Sequence, residues 1–298
     1  INGGTFNTDS DTALTVTGAL DVGGSGALTC NSSAVQCNGL RSQGGTVNLP
    51  DPSGSLTIKG TEFSGYGIHD TSGSGNLVHN SGTVTWDIGG LSTMNAKSTF
   101  NNITTATSST DLRWFGTLTL AGDLTVAANT DVYEHATAGG NLTVGGDVSV
   151  SGKLGDSSAN SAYEFKTLTI EDGGTYNGTS GTTTITNEKD HSGDGYAWIN
   201  KETDGTGYVH NNGKVKIDFS SVNNTTIVRE DTWYDLELIG YTTNNNIYTM
   251  DIASSGAITI LGDVSATNCT FNSEAAGDAL TVHGLTTIAS NARFGSAT

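Results

Sequence analysis

The chain has 298 residues, of which 34% are hydrophobic, 7% aromatic and 14% charged, and it carries a net charge of -18. With only 12 Lys and Arg it lacks the clustered cations that nucleic acid or anionic membranes require, so neither is expected as a partner. No apolar run approaches the ~20 residues of a membrane-spanning helix, so no membrane insertion is expected.

From the start of the chain, short triads of apolar, small polar, apolar residues predict strands with two side chains on one face. Leu14 to Val16 and Leu28 to Cys30 are the first two. Residues 31–55 hold both prolines, Pro50 and Pro52, and the loop between Cys30 and Cys37; this stretch is expected to leave the stack as a lateral excursion. The two cysteines could close a small disulfide under oxidising conditions, or remain buried thiols. Strands return at Leu56 to Ile58 and Val84 to Trp86. The pattern is clearest in LTLAGDLTV at Leu118 to Val126 and NLTVGGDVSV at Asn141 to Val150, where Gly-Asp is expected to form a tight turn with positive φ at glycine.

Comparable triads begin at Val215, Leu236, Ile258 and Leu280, at steps of 21, 22 and 22 residues. Leu28, Leu56 and Val84 step by 28. A unit of that length, flanked by Gly and Asn, is what one coil of a parallel β-solenoid requires. The 41 glycines and two prolines fit many tight turns joined by unbroken ladders. The fold class expected is all-β: a right-handed parallel β-solenoid of about 22 residues per coil.

A longer period lies over this one. GSGNLVHNSGTVTW at Gly73 to Trp86 returns as GTGYVHNNGKVKI at Gly205 to Ile217, so that His79 recurs as His210, 131 residues on. Matches on either side define supermodules of about 133 residues: 1–140, 141–278, and the start of a third at 279–298. A histidine that repeats with its module is a poor active-site candidate. Asn80 and Asn211 are read as left-handed turn residues, with the histidines structural beside them.

The second module carries an insertion over 187–212 that gathers acids and aromatics. Asp190, Ser192 and Asp194, followed by Gly195, match the opening of an EF-hand-type calcium loop, with Glu202 one place late for the bidentate ligand. Tyr196 and Trp198 could alternatively offer a platform for a surface glycan. A solvated acidic loop with its aromatics packed on the solenoid is the third reading. No nucleophile elbow, zinc-protease or phosphate-loop pattern is present, and no enzyme activity is expected.

VHNNGKV, the TFNNI and TWYDLEL segments, and LTLAGDLTV together resemble the tandem β-helical repeats of large secreted prokaryotic surface proteins of adhesin, filament and stalk type, with similar repeats in viral fibres. The resemblance implies a structural or adhesive role at the cell surface, with copies of the chain or neighbouring modules as partners. Two alternatives remain at this level: a carbohydrate-binding or depolymerising fibre, and a calcium-dependent adhesion module.

Overall fold

A computed structural model describes residues 1–9, 12–71, 76–95, 97–108, 111–136, 140–156, 160–191, 194–202, 206–220, 225–230, 232–241, 246–251, 257–273 and 279–295. The described residues form an all-β parallel solenoid with no helix. Its chain divides into two compact units, 1–146 with 152–154, and 147–151 with 155–298.

In the first unit each turn contributes three short strands, and alternation within each strand sends every second side chain inward. One inward column runs Leu14, Val35, Leu56, Val84, Ile103, Leu124 through consecutive parallel pairings. A second runs Leu20, Leu40, Ile68, Met94, Trp114. The third begins Phe6, Leu28, Val47, Leu77. Partners such as Thr5 and Ala27 lie about 22 residues apart, one turn of chain. Each aliphatic side chain buried in these columns contributes about 1.5–3 kcal/mol at most, which is how a chain with few hydrophobic residues closes a core.

The second unit repeats this arrangement, with Thr183, Val215, Leu236 and Val264 in one column and Trp233, Ile260 and Val282 in another. Its third column includes Leu168, Trp198 and Val228. The triad spacing read from sequence therefore joins two columns. Leu236 stacks on Val264 rather than on Ile258, and Ile258 pairs instead with Leu280. In the first unit, likewise, Leu28 stacks on Val47 rather than on Leu56.

Residues 31–55 are no excursion. Ala34–Gln43 and Thr46–Asn48 are strands of the stack, with Val35, Cys37 and Leu40 inside. The prolines sit in the turn that follows, where no ladder donor is required of them.

The Gly-Asp turns have a different cause from the one expected. Neither Gly122 nor Gly262 has a positive φ. What fixes glycine is close approach: a Cβ on Gly122 would lie 2.1 Å from Asn102 Oδ1, and one on Gly262 2.2 Å from Asp235 Oδ1. Those oxygens are there because each accepts the next backbone N–H, from Asp123 and Asp263, both at 2.8 Å. Asp263 Oδ1 in turn accepts Leu285 N–H at 2.8 Å. An Asx side chain thus caps the turn one coil further along the chain, a side-chain version of a backbone turn bond.

Candidate functional site

The repeated His-Asn turns adopt one conformation. Asn80 and Ser81 have φ of 44° and 63°, and Asn211 and Asn212 have 49° and 61°. Each first asparagine donates from Nδ2 to a carbonyl of the preceding coil, Asn80 to Leu49 O at 2.9 Å and Asn211 to Gly178 O at 2.6 Å. The histidines close the turn locally, their Nδ1 atoms accepting the N–H two residues on, at 3.1 Å from Ser81 and 3.0 Å from Asn212. This bond needs an unprotonated Nδ1, so at His210 the turn favours neutral imidazole.

Burial also holds His210 below the ordinary 6.5. Because the folded state lowers that value, the stabilisation from neutral His210 is complete above pH 6.5 and is lost as pH falls through the lower folded value. Thermal unfolding at stepped pH is expected to show this loss in the native chain, and less of it in His210→Asn. An identical acid profile for the two would contradict the neutral-histidine turn.

Cys30 and Cys37 are both buried free thiols. Burial pushes each up to about 12, with the charge of Cys37 adding to the effect at Cys30 and a backbone hydrogen bond at Gly39 opposing it at Cys37. Cys269 is buried too and donates to Leu238 O at 3.7 Å. Protonated and enclosed, the three thiols are expected to resist iodoacetamide at neutral pH in the folded protein. Unfolding without reductant should release all three for alkylation, as read by intact mass; a Cys30–Cys37 disulfide would leave one.

Within the 187–212 insertion, two described strands pair as a hairpin. Lys189–His191 runs antiparallel to Asp194–Asn200, with Lys189 opposite Tyr196 and Asp190 opposite Gly195. A Cβ at Gly195 would lie 2.5 Å from the Glu188 carboxylate, so glycine lets the two strands approach. This geometry departs from an EF-hand loop. Asp190 lies on an extended strand pair, and Ser192 and the Asp194 side chain lie outside the described residues. The Glu202 carboxylate accepts the Gly173 N–H. Among the described residues no group of three or more His, Cys, Asp or Glu is placed to hold a metal.

Trp198 departs from the platform reading. It is 0% exposed and packs inside the coil, with ring centroids 5.5 Å from Tyr176, 4.9 Å from Tyr208 and 5.1 Å from Trp233. A ring enclosed on both faces has none to offer a sugar. Tyr196 is 7% exposed, with the Arg229 guanidinium 5.7 Å from its ring centroid.

Tyr196 nevertheless lines a groove where the hairpin meets the outer face of the solenoid. The groove, of about 110 Å³, is lined also by Asp147, Ser149, Glu171, Lys189 and Lys201. Two ion pairs cross it, Lys201 Nζ 2.7 Å from Glu171 Oε2 and Lys189 Nζ 2.9 Å from Asp147 Oδ2, and Asp190 adds a third carboxylate to the lining. Burial pushes the Asp147 carboxyl up, but hydrogen bonds from Lys189 and Thr167, with the charges of Lys189 and Lys166, outweigh it and hold the group below its usual range. The carboxylate is therefore ionised at neutral pH. Val148 and Ile199, both buried, form an apolar floor.

Of the residues singled out from sequence, the structure thus brings Tyr196 and Asp190 to one groove, and sends Trp198 to the core. Asp147 and Ser149 belong to the Gly-Asp turn segment at Asn141 to Val150, which sequence reads only as a turn, and Glu171 and Lys201 carry no local motif. They meet because their strands and turns are coil neighbours, separated by one turn of chain or by a turn lengthened by the insertion.

The fold and groove define a parallel β-solenoid with a hairpin-walled polar groove on one lateral face. No family model, curated protein or solved structure matches the chain.

Proposed function

We propose that this chain is a structural and adhesive segment of an extracellular filament, surface appendage or surface layer, assembling through stacked β-coils, and that it works mechanically rather than as an enzyme. Parallel ladders closed turn upon turn resist bending and extension in each unit, because every strand is bonded to the next.

The observation that carries the reading is the last described coil of the second unit. Ile288 and Phe294 stand in register on Ala266 and Phe271, which are 1% and 2% exposed. Yet Ile288 is 36% and Phe294 43% exposed, because no described strand lies on their other side. Such a coil presents an apolar face on which a further coil, of this chain or of another copy, can add.

Negative-stain electron microscopy of the concentrated protein tests this. End-to-end chains of particles are expected, and Ile288→Lys should shorten or abolish them while leaving the circular dichroism spectrum unchanged. Discrete particles at every concentration would overturn stacking between copies.

A further inference from the structure

We propose that the groove between the hairpin and the outer face of the second unit binds one neutral sugar ring. The proposal does not rest on the filament reading, since the groove lies on a lateral face rather than at a coil end.

Its lining sets the ligand class. Two ammonium groups, Lys189 and Lys201, are each already bonded to a carboxylate, Asp147 and Glu171. An anion entering would meet those two carboxylates and that of Asp190, and a cation would meet ammonium groups already held by their partners; each carries a desolvation cost. A neutral polyol meets no such conflict. Its hydroxyls both donate and accept, so neighbouring hydroxyls can donate to Glu171 or Asp147 and accept from Lys201 or Lys189, making charge-assisted bonds without displacing an ion pair.

Shape agrees with chemistry. The space of about 110 Å³ equals about four waters, enough for one edge of a single ring. Val148, Ile199 and Tyr196 close the floor with apolar edges, each less than a tenth exposed, against which one C–H of a pyranose can rest. A peptide would bind a sheet by adding to a strand edge, but beneath the groove Glu171 N–H is already bonded to Val150 O and Lys201 N–H to Ile170 O, both at 2.9 Å. Lys189, whose side chain is 58% exposed, can turn toward an incoming hydroxyl.

The test is an amide NMR titration of the ¹⁵N-labelled protein with the methyl glycosides of glucose, galactose and mannose. At least one should shift the Thr169, Glu171, Ile199 and Lys201 amides, saturating in the millimolar range expected of a single ring in an open groove. Lys201→Met and Lys189→Ala should each weaken that response about tenfold or more, the loss of a charge-assisted bond to a buried partner. Lys189 is exposed enough that its variant will fold, and unchanged amide positions elsewhere will show that it has. No shift with any of the three at about 50 mM, well above the expected range, overturns the proposal. So does a response to calcium or inorganic sulfate alone, or a sugar response that both variants retain.

Discussion

Gly213→Ala is expected to destabilise the chain by about 3 kcal/mol or more, the largest effect of any glycine replacement in the repeated turns. Its Cβ would lie 1.8 Å from Thr179 O, a backbone oxygen of the preceding coil that moves only if the coil does. Gly82, at the equivalent place in the first unit, would put its Cβ 2.0 Å from Pro50 O. Neither glycine has a positive φ, so the penalty is steric and not conformational. Gly90→Ala is the matched control, with nothing within 4 Å of its Cβ and no positive φ; it should stay within about 0.5–1 kcal/mol of the native chain. Urea unfolding of the three variants separates the cases. Equal stability of Gly213→Ala and Gly90→Ala would mean that the coils are less closely apposed than described.

Trp198→Ala should cost about 4 kcal/mol. The indole fills the interior of its coil and makes edge contacts with Tyr176, Tyr208 and Trp233, so removal opens a cavity bounded by rigid rings that cannot collapse into it. The indole N–H makes no hydrogen bond among the described residues. Trp198→Phe keeps most of the ring and removes that unsatisfied donor, so its cost should fall to about 1–2 kcal/mol. If the two variants were equally destabilised, the ring contacts would not be the source of the stability. If the alanine variant were nearly native, Trp198 would have to lie at the surface.

The architecture was legible because the apolar, polar, apolar triads survive in sequence as the inward columns of the solenoid. Leu56 and Val84, or Val215 and Leu236, are read as neighbours from spacing alone and are neighbours. Column identity was not legible. All three strands of a coil share one triad pattern, and coil lengths vary from the 19 residues between Thr83 and Asn102 to the 32 between Thr182 and Lys214. A step of 22 from Leu236 therefore reaches a strand, Ile258, on the wrong face. Ala34–Gln43 was missed for a related reason: Gln36, Asn38 and Arg41 point outward, and their polarity hid Val35, Cys37 and Leu40.

At the candidate site, acids and aromatics in one segment drew attention to Tyr196 and Trp198 together. Their alternation as i and i+2 would place both on one face of a regular strand, but the pairing slips between them and packs Trp198 inward. Asp147 is read from sequence only as a turn residue and Glu171 lies outside any motif, and their convergence on the hairpin depends on its length, which no local pattern encodes. The His-Asn turns were the opposite case. Local chemistry alone dictates left-handed asparagine, and φ at both Asn80 and Asn211 agrees.

The Asx caps have a polarity. Asn102 serves Asp123, Asp235 serves Asp263, and Asp263 serves Leu285; in every case the acceptor precedes its donor in the chain. Asn80 and Asn211 reach back in the same sense, to Leu49 and Gly178. These five bends are completed by groups already synthesised, whereas the Gly173 bend waits for Glu202. A polypeptide emerging N-terminus first, from a ribosome or an export channel, can close these windings one at a time on a finished template, whereas growth from the opposite end would strand the Asp123, Asp263 and Leu285 N–H groups until the following winding arrived.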